Sequence, residues 1–326
     1  MSKPQFVYVS YIETTPEKLW EALTSSEFTR QYWFGAEVKS DWKVGSPFAL
    51  LLDGEVTDSG EILEADPPRR LSYSFKHHKF EELRGEPTSR VVFTIEPFGA
   101  LVRLTVLHDG FVEGGKYLGA VSNGWPAILS QLKSLLETGK LLGIPRAAAE
   151  QGIRCKMNLD QFKPLTVYTI YIASTPQKVW EALTTAGFSK QYFFGNAVEV
   201  EPRLGGAFIV RTPDGALHIS GEVLAYDPPR KLSVTFNVNW PDLIEKLGPT
   251  LVTYEIEQVG DAVRLTMSEG HDRPLSDDIL EGGRQGWPAI LSSLKSVLET
   301  GKPLVVKMGP PQRMLDALKA MGIKTP

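Results

Sequence analysis

The sequence repeats itself. YIETTPEKLWEALT, from Tyr11 to Thr24, returns as YIASTPQKVWEALT from Tyr171 to Thr184. QYWFG at Gln31 returns as QYFFG at Gln191, and GEILEADPPRRLS at Gly60 as GEVLAYDPPRKLS at Gly221. GWPAILSQLKSLLETGK at Gly124 returns as GWPAILSSLKSVLETGK at Gly286. The offset between partners drifts only from 160 to 162 residues. Stacked solenoid repeats have periods of roughly 20–45 residues, so this is a duplicated domain instead. Each copy, about 140 residues long, can bury a core of its own. The 326 residues divide as domain 1–142, linker 143–163, domain 164–303 and tail 304–326. In the tail, Met314, Leu315, Leu318 and Met321 share one face of a short amphipathic helix. Packing on its own domain is the plainer expectation for that face, and docking to a partner the alternative.

Within one copy the pattern predicts a strand over Phe6–Ile12, then a helix whose start is marked by Thr14 or Thr15 followed by Pro16. Threonine accepts from the first free N–H groups, and proline tolerates the first helical turn. A second short helix or turn is expected over Ser26–Tyr32, before Gly35. Alternation then predicts half-buried antiparallel strands: Leu71, Tyr73, Phe75 against Ser72, Ser74, Lys76, and Val102, Leu104, Val106 against Arg103, Thr105. Asp53-Gly54 suits a tight hairpin, and Asp66-Pro67-Pro68 belongs in a loop. The copy closes with its longest helix, where Trp125, Ile128, Leu129, Leu132, Leu135 and Leu136 form one apolar stripe, stopped by Gly139. If that helix begins near Lys116, Pro126 lies inside it and should kink it. The fold class is therefore α+β: twice over, a curved antiparallel sheet wrapped on one long helix, with a cavity between them.

Composition narrows the function. A net charge of -4 gives no general attraction to nucleic acid or anionic membrane. No run approaches the ~20 apolar residues of a membrane span. The opening MSKPQFVYVSYIETT lacks a secretory pattern, and Cys155, the one cysteine, can neither form an internal disulfide nor build a thiolate zinc site. A cytoplasmic setting, with Cys155 an inert linker thiol, is the expectation.

Chemistry-bearing motifs are sparse. The five histidines show no ligand spacing, so no metal is expected. No phosphate loop and no nucleophile elbow is present. Strand parity places His77 with Tyr73 and Phe75, and His108 with Val106, on the inward face. The ends at His77 and His108 and the start near Arg90 fall at one sheet edge, so these groups would orient a ligand at the cavity mouth. The plainer alternative leaves both histidines solvated at the rim. The second copy has Val238 for His77, and Ser268 or Glu269 for His108. Histidine chemistry shared by both copies is thereby disfavoured. Aromatic residues carry the stronger signal. Trp33, Tyr73, Phe75, Phe93 and Trp125 in the first copy, and Phe193, Phe236, Tyr254 and Trp287 in the second, are candidate cavity walls, though most such side chains are ordinary core.

TPEKLWEALT, QYWFG, DPPRRLSYSF, RLTVLHDGF and GWPAILSQLKSLLETG resemble the START-like (SRPBCC) superfamily, in its branch named for the activator of the 90-kDa heat-shock protein ATPase. The resemblance covers both copies, each similar to that activator's C-terminal module. It implies a Bet v-type helix-grip fold. It also implies binding of hydrophobic or aromatic small molecules, lipid-like or polyketide-like, as carrier, sensor or sequestering protein. A chaperone partner whose ATPase is regulated is the alternative, and cyclase or hydrolase activity a second. No cofactor and no fixed catalytic set come with it.

Overall fold

A computed structural model describes residues 4–146 and 163–325. Cys155 and linker residues 147–162 lie outside the described residues. Contacts divide the chain into two compact units, Met1–Arg154 and Cys155–Pro326.

The first unit begins with β1 (Gln5–Ile12) and two short helices, α1 (Pro16–Thr24) and α2 (Ser26–Tyr32). Thr15 caps α1, its hydroxyl accepting from the Lys18 N–H at 3.2 Å, with Pro16 in the first turn. The face bearing Leu19, Ala22 and Leu23 is buried. At the end of α2, the repeated aromatic-Phe-Gly motif turns the chain sharply: Phe34 has φ 50° and Gly35 φ 88°. Then come β2 (Glu37–Lys39), β3 (Pro47–Leu52), β4 (Glu55–Asp66), β5 (Arg70–His77), the short α3 (Glu81–Arg84), β6 (Ser89–Phe98) and β7 (Leu101–Asp109). All pair antiparallel in the order β1-β7-β6-β5-β4-β3-β2. Helix α4 (Tyr117–Thr138) follows, continuous through Pro126 and ended by Gly139 at φ 71°. Its side chains Trp125, Leu129 and Leu132 are buried. The order of elements is the one expected from the alternation, with α3 as an unforeseen addition.

The second unit repeats this plan. It runs β8 (Lys163–Ile172), α5 (Pro176–Thr184), α6 (Ala186–Tyr192), β9 (Ala197–Val200), β10 (Ala207–Arg211), β11 (Leu217–Asp227) and β12 (Lys231–Thr235). It continues with β13 (Asn237–Val238), α7 (Leu243–Leu247), β14 (Thr250–Val259), β15 (Ala262–His271) and α8 (Asp277–Thr300). The sheet order is β8-β15-β14-β12-β11-β10-β9, with β13 paired to β11. A last helix, α9 (Gln312–Ala320), packs against α8 of its own unit. There Leu318 and Ile323 join Leu247 in a small apolar cluster, with Met314 against it.

One feature of the long helices had no sequence expectation. Lys133 and Glu137 form an ion pair with both side chains about 1% exposed. Lys133 Nζ also donates to the Tyr11 carbonyl at 2.8 Å, and Glu137 Oε1 accepts the Glu13 N–H at 2.9 Å. Lys295 and Glu299 repeat the arrangement with Tyr171 and Ala173. Each pair stitches its long helix to the end of the first strand, satisfying backbone groups where β1 and β8 stop.

Candidate functional site

Between sheet and long helix each unit encloses a cavity. In the first its volume is about 540 Å³, and in the second about 490 Å³. Of the residues expected at the first cavity, Trp33, Phe75, His77, His108 and Trp125 line it. Tyr73 and Phe93 do not: Tyr73 stacks on Phe48 at 4.1 Å between ring centres, and Phe93 lies edge-on to Trp125 at 5.8 Å. Both are core behind the wall, because parity gives a side chain's face but not its depth. In the second cavity Phe193, Phe236 and Trp287 form the wall. Tyr254 is set back, lining only a small gap with Leu291 and Leu294.

The two histidines are buried, not solvated at a rim: His77 is 9% exposed and His108 0%. Their partners fix their protons. The Trp125 indole N–H can only donate, and it donates to His108 Nδ1 at 3.1 Å. The His108 proton therefore sits on Nε2 and points to Ser89 Oγ at 2.8 Å, while Ser89 donates onward to the Phe75 carbonyl at 2.9 Å. Burial pushes the His108 pKa down to about 3, so the ring is neutral. Likewise the Phe80 N–H donates to His77 Nε2 at 3.0 Å, which puts the His77 proton on Nδ1, facing Asp58 Oδ1 at 2.6 Å. All four ring nitrogens thus have protein partners. Arg90, expected beside them, instead pairs with Asp109 on an exposed face and is absent from the lining.

Register decides what replaces these groups in the second copy. His108 pairs with Val91, and Glu269 with Val252, the corresponding residue of β14. So Glu269, not Ser268, stands where His108 stands, and its Oε2 accepts the Trp287 N–H at 3.0 Å. The sequence left Ser268 and Glu269 open for that place, and register assigns it to Glu269. The Asp58–His77 pair is replaced by Ile219 opposite Val238. Burial pushes the Glu269 carboxyl up to about 7, against the opposing pull of the Trp287 N–H and the Arg284 charge. Asp58 and Ser89 were missed from sequence. Asp58 stands opposite His77, and Ser89 stands opposite Phe75, two residues along β6 from the partner of His108, relations legible only once register is known.

Neither cavity holds a cluster suited to a metal, since no group of three His, Cys, Asp or Glu side chains converges among the described residues. No helix among them is long and apolar enough to cross a membrane.

A curved antiparallel sheet gripping a long helix around an apolar cavity defines the helix-grip, START-like class of α+β proteins. The chain belongs to the family described as Activator of Hsp90 ATPase homolog 1-like protein, whose model matches residues 13–137 and again 173–299. Solved structures similar to this chain include protein MLL2253 from Mesorhizobium loti, 28% identical over 42% of this chain and 100% of that one, with a TM-score of 0.37. An HSP90 activator from Plasmodium falciparum is 23% identical over 40% of this chain and 95% of its own, TM-score 0.35. DynU16, from the dynemicin biosynthetic locus, is 16% identical over 90% of this chain and 97% of its own, TM-score 0.35. No curated protein matches the sequence.

Proposed function

We propose that each domain takes up a hydrophobic small molecule, aromatic or lipid-like, and that the chain acts as a carrier, sensor or sequestering protein. The observation that carries this reading is a pair of open cavities, about 540 and 490 Å³, each walled by aromatic side chains and holding one polar group on a tryptophan N–H. Ligand sites generally have such dimensions, apolar walls and a few placed polar groups. Trp33, Phe75 and Trp125 would contact the first ligand, and Phe193, Phe236 and Trp287 the second. With all four ring nitrogens of His77 and His108 bonded within the protein, neither ring has a free nitrogen to move a ligand's proton.

Cavity-filling variants test the reading. A side chain added at Gly124 or Gly286 meets open space, and both glycines line the cavities. Native mass spectrometry against a panel of apolar fluorophores should show two sites in the wild type, one in Gly124→Leu or Gly286→Leu, and none in the double variant. Ligand counts unaltered by the double variant would sink the proposal. The family description favours a second reading, regulation of a heat-shock chaperone ATPase. Stimulation of a purified chaperone ATPase by the wild type, retained in the double variant, would favour it.

A further inference from the structure

The two cavities differ in charge, and the second is the simpler. Among the described residues Glu269 is the one carboxylate in its lining, and no lysine or arginine lines it. The first cavity is lined by Lys79, Lys116 and Arg146 as well as by Asp58 and Glu82. The Glu269 side chain is 14% exposed. Its Oε2 takes the Trp287 N–H at 3.0 Å, while His271 Nε2 stands 3.9 Å from Oε1, beyond hydrogen-bond reach. Oε1, in the cavity lining, thus has no protein donor among the described residues. Phe236 and Trp287, 5.4 Å apart between ring centres, line the same cavity, and aromatic rings attract cations over their faces.

Helix α8 is locally shaped for this carboxylate. A Cβ at Gly283 would lie 2.3 Å from Glu269 Oε2, and one at Gly282 would lie 2.4 Å from Met314 Sδ. The first copy has Ala120 and Val121 at these places, in the lining of the cavity that also holds His108. A glycine inside a helix costs about 1 kcal/mol relative to alanine, so two in succession weaken α8 where the carboxylate and the tail approach it.

We propose that the second cavity selects ligands bearing an amine, whose ammonium group donates to Glu269 Oε1 while its apolar body lies against Phe236 and Trp287. This deepens the hydrophobic-uptake reading and rests on it. A charge-assisted hydrogen bond satisfies the open oxygen, and the aromatic walls accept the rest of the ligand. Burial pushes the other titratable groups of the lining, His218 and His271, below the usual histidine value. Arg284, whose charge reaches Glu269 from α8, pairs with Asp277 at 3.0 Å and is not part of the lining. Because the carboxyl titrates near pH 7, amine uptake strengthens as pH rises through that value, provided the amine stays protonated.

The test uses the full chain and three fluorescent probes with one ring system: pyrenemethylamine, pyrenemethanol and pyreneacetic acid. Titration by pyrene emission, with native mass spectrometry for stoichiometry, is done at pH 6 and pH 8. At pH 8 the amine should fill one site about tenfold or more tighter than the alcohol. Glu269→Gln should erase that advantage, and Gly286→Leu should remove the site. In the wild type the advantage should shrink at pH 6, a readout that needs no variant. An alcohol or acid bound at this site as tightly as the amine, or an advantage that survives Glu269→Gln, overturns the inference and leaves hydrophobic uptake standing. Failure of all three probes to bind overturns the uptake reading and this inference with it.

Discussion

The indole N–H of Trp287 donates to Glu269 at 3.0 Å, in the place where Trp125 donates to His108 at 3.1 Å. One donor, repeated in both copies, holds a neutral ring in one cavity and a titrating carboxyl in the other. The duplicated helix supplies the tryptophan, and the divergent strand supplies the acceptor.

Removing that donor should be costly in both domains. Trp125→Phe leaves His108 Nδ1 buried without a partner, at about 1–3 kcal/mol beyond any packing loss. Trp287→Phe should also raise the Glu269 pKa further, since the lost N–H favoured the ionised form. Urea unfolding of each variant, and the carboxyl pH titration followed by infrared spectroscopy, check the two effects.

The two domains should respond to pH in opposite directions at this position. Folding lowers the His108 pKa from 6.5 to about 3, so between those values the unfolded chain binds more protons, and stability is lost as pH falls. Folding raises the Glu269 pKa from 4.5 to about 7, so stability is present below about 4.5 and is lost as pH rises through 7. Each contribution is on the order of 3–5 kcal/mol at most. Hydrogen exchange resolved by domain should show His108→Gln flattening the acid-side loss in the first, and Glu269→Gln stabilising the second at pH 8.

Breaking a buried ion pair differs from replacing it. Lys133→Met should destabilise the first domain by about 3–5 kcal/mol, because Glu137 is left charged in the interior. Lys133→Met with Glu137→Met should cost clearly less than the single change. A double-mutant cycle in guanidinium measures this, and a pair of additive losses would contradict the buried-charge account.

The tail should control the second cavity. Met308, Pro310, Met314 and Leu318 line it, and Leu318 is 2% exposed. Leu318→Ala should cost about 2–5 kcal/mol locally and loosen α9. Faster hydrogen exchange confined to α9, with quicker exchange of a bound fluorophore, is the expected result. Unchanged release would mean the tail does not gate that cavity.

What sequence determined here follows from its periodicities. Duplicate motifs set the two-domain plan, alternation set the faces of β5 and β7, and the apolar stripe from Trp125 to Leu136 set the long helix. These are local properties, read from spacing alone. Even the inward aim of His77 and His108 follows from period two. What alternation cannot supply is depth and partner. Tyr73, Phe93 and Tyr254 have the right parity yet stand behind the walls, because curvature of the sheet decides which inward side chains reach the cavity. The Asp58–His77 pair, the buried Lys133–Glu137 stitch and the match of Glu269 to His108 join residues far apart in the chain, or depend on a register that a single-residue gap obscures. Only the folded sheet, which fixes both register and burial, decides whether a polar side chain at those positions is a rim group, a saturated structural bond or an open carboxylate.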